Sequence, residues 1–272
     1  MTSKSNNRPF AIITGGSSGI GLEMARILAK KEYDLFIVSN QKEQLENVKS
    51  ELENNYNISC YTLNLDLSNP NSAQILYNHC KENNWVIDTL INNAGMLVFS
   101  EVIATNTKRI ETILQLHINT PSLLCRYFGE DMKNRGKGNI LNISSISSVM
   151  PYPGISLYGP SKTYMRYFTR AFRSEMKIYG VNVTCLLPGA TETGLYDPNR
   201  INLKLAKRLG IMQTANFVAK KAINALLKNR KECIPGVINK LTVFFLPIVP
   251  SWIIYQIHKR TGIIKKGSQA LD

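Results

Sequence analysis

The chain has 272 residues, 44% of them hydrophobic and 19% charged, enough for one sizeable core and too apolar for a disordered chain; its 33 Lys/Arg outnumber 19 Asp/Glu, for a net charge of +14. The cysteines (Cys60, Cys80, Cys125, Cys185, Cys233) form no C-x-x-C pair, and His79, His117 and His258 no Cys/His cluster, so no metal site is expected. An odd number of scattered thiols suits a reducing compartment rather than a disulfide framework.

Residues 1–9 are polar and lack an apolar signal segment, which points to a cytoplasmic protein rather than an exported one. Phe10-Ala-Ile-Ile13 reads as a short buried strand. It runs into Thr14-Gly-Gly-Ser-Ser-Gly-Ile-Gly21 and then an amphipathic helix from Leu22 to Lys31. Glycines at 15, 19 and 21 permit a tight turn and close backbone approach, and a helix N-terminus offers free N–H groups to a pyrophosphate. Gly15, Ser17, Ser18, Gly19, Ile20 and Gly21 are therefore candidate dinucleotide contacts.

Apolar runs at Leu35–Val38, Ser59–Leu63, Thr89–Ile91, Asn139–Ile143 and Val181–Leu187 alternate with helical patterns such as Gln41–Asn54 and Asn71–Asn83. That alternation predicts an α/β fold, a single Rossmann-type doubly wound parallel sheet with helices on both faces. Ligands then gather at the carboxyl ends of the strands. After Val38 the chain reads Ser39-Asn40-Gln41-Lys42, with no carboxylate before Glu43 to repel a ribose 2′-phosphate. NADP(H) is favoured over NAD, with Ser17, Asn40 and Lys42 as candidate phosphate contacts.

Tyr158 and Lys162 stand four residues apart in Tyr-Gly-Pro-Ser-Lys, thirteen residues after Ser145. If the stretch from Pro160 is helical, the pair shares one face. A phenol titrates near ~10, and a neighbouring ammonium lowers that value toward the range useful for proton transfer. Ser145 could hydrogen-bond a carbonyl or alcohol oxygen.

Five motifs in this order, the Thr14–Gly21 turn, Leu65-Asp66-Leu67, Asn92-Asn93-Ala94-Gly95, the Ser145/Tyr158/Lys162 set and Pro188-Gly-Ala-Thr-Glu-Thr193, give the chain a resemblance to the short-chain dehydrogenases/reductases over residues 8–235. The resemblance implies that Asp66 and Leu67 border the adenine and that Asn93, Ala94 and Gly95 line the cofactor floor. It also implies that Asn119, in Ile118-Asn-Thr, completes a catalytic tetrad with Ser145, Tyr158 and Lys162. Lys162 would hold the nicotinamide ribose beside Tyr158. Pro188, Gly189, Thr191 and Thr193 would hold the carboxamide, and Gly194–Met212 would be a mobile substrate loop. The implied reaction is NADP(H)-dependent hydride transfer to a carbonyl or from a secondary alcohol, in the subgroup related to ketoacyl and 3-ketosphinganine reductases. A 3-oxoacyl or long-chain lipid ketone is the expected substrate. A hydroxysteroid dehydrogenase is the alternative, and an NADP-binding regulator the reading outside enzymes.

Residues 198–272 hold 14 Lys/Arg against 2 Asp/Glu, nearly all the excess charge. Within this basic region, 236–272 reads as an apolar C-terminal extension of the catalytic domain at 8–235. Its core, Val237 to Ile257, is apolar and aromatic, but Lys240 and the breaks at Pro247 and Pro250 argue against a membrane span. Three readings stand open for 237–266: an interfacial contact with anionic lipid, a lid over the substrate pocket, or the interface of a homo-oligomer. No nucleic-acid module is visible, so the basicity is not read as nucleic-acid binding.

Overall fold

The computed structural model describes residues 8–193 and 212–261. Seven parallel strands form one sheet: β1 (Phe10–Thr14), β2 (Asp34–Ser39), β3 (Cys60–Asn64), β4 (Thr89–Asn92), β5 (Gly138–Ile143), β6 (Val181–Leu186) and β9 (Glu232–Cys233), in the order β3-β2-β1-β4-β5-β6-β9. A second, two-stranded sheet pairs β7 (Thr191–Glu192) with β8 (Gln213–Thr214).

Helices cover both faces, so the central strands β1 and β2 read as nearly unbroken apolar runs rather than as alternating ones. On β1 and β2, Ala11, Ile13, Leu35 and Ile37 face one side. There they meet α1 (Gly19–Ala29), α2 (Lys42–Asn55) and α7 (Ala215–Leu227) through Met24, Leu28, Leu45, Val218 and Ile223. Phe10, Ile12, Phe36 and Val38 face the other side. They join Leu76 of α3 (Ser72–Glu82), Leu124 and Phe128 of α5 (Thr120–Arg135) and Met176 of α6 (Tyr158–Lys177). Phe36 and Phe128 are among the largest fully buried side chains, where truncation to alanine costs about 3–5 kcal/mol.

The strand order reverses between β1 and β4, which opens the crevice typical of such sheets at the carboxyl end. Asn92 stays inside the sheet, its amide donating to Asn142 Oδ1 at 2.8 Å. Asn93 bridges the crevice instead. Its Nδ2 donates to the carbonyls of Thr14 (3.0 Å) and Gly15 (2.9 Å), and the backbone N–H groups of Asn93 and Ala94 both donate to Thr14 Oγ1.

The C-terminal segment is tied to this body. Helix α8 (Val237–Phe245) buries Asn239, whose amide donates to Pro235 C=O at 2.7 Å and packs on Gly189. Val243 of the same helix packs with Cys185 and Leu187. The opposite face is apolar as well, with Val237 71%, Leu241 52%, Phe244 69% and Phe245 56% exposed. A short 3-10 turn containing Pro247 separates α8 from α9 (Ser251–Thr261), on which Trp252 and Tyr255 are exposed. Among the described residues no helix is long and apolar enough to cross a membrane.

Candidate active site

The glycine turn lies at the reversal point. Gly15 has φ +63°, and a Cβ there would stand 2.9 Å from Ala94 Cα, so a side chain is excluded by both conformation and space. A Cβ on Gly21 would overlap the Gly15 carbonyl, which keeps the turn flush with the first turn of α1. Ser18 is the N-cap of that helix, yet its side chain makes no capping bond and no acidic residue occupies the first turn. Open donors at a positive helix end fit an anionic pyrophosphate. Gly19 faces Thr193, so the turn and the segment after β6 converge; Thr191 Oγ1 donates to Gly189 C=O, and Pro188 C=O accepts from Ile146 N–H.

At the end of β2, Ser17 Oγ and Ser39 Oγ share a 2.8 Å hydrogen bond, and Ser17 Oγ donates to Gln41 Oε1 at 3.2 Å. Asn40 and Lys42 are exposed beside this cluster, Lys42 opening α2. At the end of β3, Asp66 Oδ1 accepts from both Ser68 N–H (2.9 Å) and Ser68 Oγ (2.7 Å), which makes the residue an Asx-type turn. Leu67 is buried, and its carbonyl accepts from Ser72 and Thr120.

Three bonds latch the start of α6 to the end of β5. Ser144 Oγ donates to Lys162 C=O at 2.7 Å, Thr163 Oγ1 to Ser148 C=O at 2.8 Å, and Lys162 Nζ to Ile143 C=O at 3.1 Å. They tie the helix start that carries Tyr158 and Lys162 to the 143–148 segment that contains Ser145. Ser145 caps a short 3-10 helix, its Oγ accepting from Ser147 N–H and meeting Ser147 Oγ, both at 3.1 Å. Tyr158, half-buried, is the first residue of α6, two residues before the expected start. Lys162 is 5% exposed, with Nζ 5.8 Å from the centroid of the Tyr158 ring. Burial lowers its pKa to about 8, because an ammonium without water is costly; the nearby Cys185 acts weakly in the opposite direction.

Asn119 does not join this group. It lies in a π-helical segment, Gln115–Asn119, between α4 (Thr107–Leu114) and α5. Its amide is exposed and donates to Gln115 Oε1 at 3.1 Å, in an open surface hollow of about 370 Å³ shared with Ser122 and Tyr164. Residues two apart on a helix face opposite ways, and the inward position belongs to His117. The His117 ring is buried and meets the Tyr158 ring edge-on at 5.7 Å. Sequence reasoning missed it, although its phase was readable: Ile113, His117, Thr120, Leu124 and Phe128 recur as the buried stripe of this helical run, and Asn119 falls outside it. Of the expected substrate loop, residues 194–211 lie outside the described residues, but its two ends are held side by side by the pairing of Thr191 with Gln213.

A sequence profile of the family described as short chain dehydrogenase matches residues 9–204. The 17-beta-hydroxysteroid dehydrogenase type 3 of Homo sapiens is 27% identical over 250 residues, 90% of this chain and 77% of that protein. The very-long-chain 3-oxoacyl-CoA reductase of Mus musculus is 27% identical over 256 residues, 91% and 78% of the two chains. Among solved structures, a short-chain dehydrogenase from Sphingobium yanoikuyae in complex with NADPH superposes with a TM-score of 0.75 at 24% identity, covering 97% of this chain and 98% of that one. A 7beta-hydroxysteroid dehydrogenase superposes with a TM-score of 0.83 at 19% identity, covering 92% and 96%. With its parallel sheet, its glycine turn at the switch point and a family profile that spans most of its length, the chain belongs to the short-chain dehydrogenase family of oxidoreductases.

Proposed function

We propose that the protein is an NADP(H)-dependent ketone reductase acting on a 3-oxoacyl or other long-chain lipid ketone. The observation that supports the reading is the latched start of α6, which ties the turn carrying Tyr158 and the buried Lys162 to the segment after β5 that contains Ser145. Gly15, Ser17, Ser18, Gly19, Ile20 and Gly21 would take the pyrophosphate, with Asp66, Leu67, Asn93, Ala94 and Gly95 along the adenine and ribose side. Pro188, Gly189, Thr191 and Thr193 would take the carboxamide end. When bound, the nicotinamide supplies the hydride. Ser145 Oγ would donate to the carbonyl oxygen, and Tyr158 would deliver its phenolic proton to that oxygen as negative charge develops. Lys162 holds a positive charge near the phenol, favouring the phenolate left after transfer.

Substrate class rests on the relatives. The mouse reductase favours an acyl chain, and the human hydroxysteroid dehydrogenase, at equal identity, supports a steroid ketone as the second reading. A panel of 3-oxoacyl-CoA esters of increasing chain length and of 17-ketosteroids, followed by loss of NADPH absorbance, tests both. Rising kcat/KM with chain length supports the first reading, and turnover of the steroids alone replaces it.

The cofactor preference follows from the uncharged end of β2. NADPH is expected to bind at least about tenfold more tightly than NADH, since 1.4 kcal/mol suffices for that factor. Asn40→Asp should reverse the order by setting a carboxylate against the 2′-phosphate. Fluorescence titration reads both, and a wild-type protein that prefers NADH overturns the assignment.

The outward face of α8 and α9 fits an anionic lipid surface. Val237, Leu241, Phe244, Phe245, Trp252 and Tyr255 are exposed on a segment that also carries exposed Lys240 and Lys259. Co-sedimentation with vesicles should rise with anionic lipid content and fall with salt, each basic residue near the surface contributing roughly 1 kcal/mol. Leu241→Glu with Phe245→Glu should release the protein without disturbing the seat of Asn239 and Val243. Equal binding to neutral and anionic vesicles removes the electrostatic part. Absence of binding, with a raised KM or a smaller oligomer in the double variant, transfers the face to a pocket lid or to a homo-oligomer interface.

A further inference from the structure

His117 is bonded at both ring nitrogens, and the chemistry of its partners fixes every proton. The Met96 N–H points at Nε2 at 3.0 Å, and an amide can only donate, so Nε2 accepts. A neutral ring then carries its proton on Nδ1, which lies 2.9 Å from Ser161 Oγ. Ser161 in turn donates its own proton to the Tyr158 carbonyl at 2.8 Å. The three bonds run in one direction, from the loop after β4 through the ring to the turn of α6 that separates Tyr158 from Lys162. Gly95 marks how near the ring lies to the lysine: a Cβ there would stand 3.2 Å from His117 Nε2 and 3.6 Å from Lys162 Nζ.

We propose that His117, on the face opposite Asn119, is the positioning residue of this site: a neutral Nδ1–H imidazole that holds Tyr158 and Lys162 in register with the Asn93–Met96 floor. The proposal rests on the hydride-transfer reading for its kinetic consequence and on the hydrogen-bond pattern for the rest. Protonation of the ring would turn Nε2 into a donor aimed at the Met96 N–H and set a second cation beside Lys162. Among the described residues, the titratable groups facing the ring are Lys162 and Tyr158, both on α6. The floor offers the Met96 amide and Gly95. Desolvation, seconded by the Lys162 charge, accordingly holds the His117 pKa well below its ordinary value. A histidine in this setting does not shuttle protons at neutral pH; it stays neutral so that the proton-transfer pair beside it stays in place.

The test begins with ¹⁵N NMR of the histidine side chains in the cofactor-free protein, with His117 assigned through His117→Phe. The expected signal has a pyrrole-like Nδ1 and a pyridine-like Nε2, unchanged from pH 8 down to about pH 5.5, whereas an ordinary imidazole is half protonated near ~6.5. An Nε2–H tautomer, or titration near 6.5, overturns the proposal. With a ketone that the wild type reduces, His117→Phe should lower kcat by about 10- to 100-fold with KM nearly unchanged, the loss expected for slight misplacement of reacting groups. His117→Asn, whose Nδ2 reproduces the donor toward Ser161, should recover most of that loss. If the ring only fills space, the phenylalanine keeps kcat within twofold and the proposal fails. Should His117→Phe not fold, Ser161→Ala poses the same question with the ring in place and is expected to lower kcat in the same direction; an unchanged kcat there overturns the proposal. Failure of every ketone to react counts against the hydride-transfer reading, whereas the tautomer is decided without turnover.

Discussion

Tyr158→Phe is expected to lower kcat by roughly 10²- to 10⁴-fold, the usual contribution of a positioned proton donor, equivalent to about 3–5 kcal/mol of barrier. The substitution deletes one oxygen. Phenylalanine keeps the ring that meets His117 edge-on at 5.7 Å, and Tyr158 is only half-buried at the first position of α6. Stability should therefore change by less than about 1 kcal/mol, and cofactor affinity should hold within a few-fold. Steady-state NADPH oxidation paired with fluorescence titration separates the two effects. A variant that retains more than a tenth of wild-type turnover assigns the proton to another group.

Lys162→Met should move activity and stability in opposite directions. Under the proposed mechanism turnover is expected to fall at least 10²-fold, because the site loses the cation that would favour the phenolate left after proton transfer. The fold, however, gains. Burial lowers the lysine's pKa from the ordinary 10.5 to about 8, so the unfolded chain binds the proton more tightly throughout that interval. Stability then rises with pH between 8 and 10.5, and below 8 the full cost of burying the cation is present, roughly 3 kcal/mol at 1.36 kcal/mol per pH unit. Methionine fills similar space without the charge, while the Ile143 carbonyl loses its bond at a cost of about 1 kcal/mol. A net gain of about 1–2 kcal/mol corresponds to a Tm higher by about 2–8 °C at pH 7. The gap between variant and wild type should shrink toward pH 10 as the wild-type lysine becomes neutral. A less stable variant at pH 7, or a gap that widens with pH, contradicts the buried-cation account.

The same site shows what a sequence discloses and what it withholds. The five strands expected after the glycine turn each agree with β2 to β6 to within one residue at either end, because each carries a short stretch rich in β-branched and other apolar residues bounded by polar or turn residues. The first helix begins at Gly19 rather than Leu22, since the glycine run itself forms its opening turn and no capping side chain announces it. The two-residue β9 carries no periodicity to read, and its place beside β6 depends on backbone bonds from Cys185 N–H to Lys231 C=O and from Leu187 N–H to Cys233 C=O. Tyr158 and Lys162 were legible because four residues on a helix always share a face. Asn119 misled because a motif gives a residue type without a rotational phase, and a π segment followed by Pro121 obscures that phase.

The two faces of α8 leave a footprint in any exhaustive substitution library. Positions 239 and 243 sit against Gly189 and against Cys185 and Leu187, so a selection for folded protein should reject charged residues there. Positions 241, 244 and 245 point outward, and the same selection should accept, or even enrich, glutamate and lysine for solubility. A selection for growth that depends on a lipid-bound enzyme would reject those same outward charges. Comparing the two tolerance maps would thus separate the residues that build this helix from the residues that employ it, and it warns that affinity tags or deletions near the C-terminus are not neutral choices for purification.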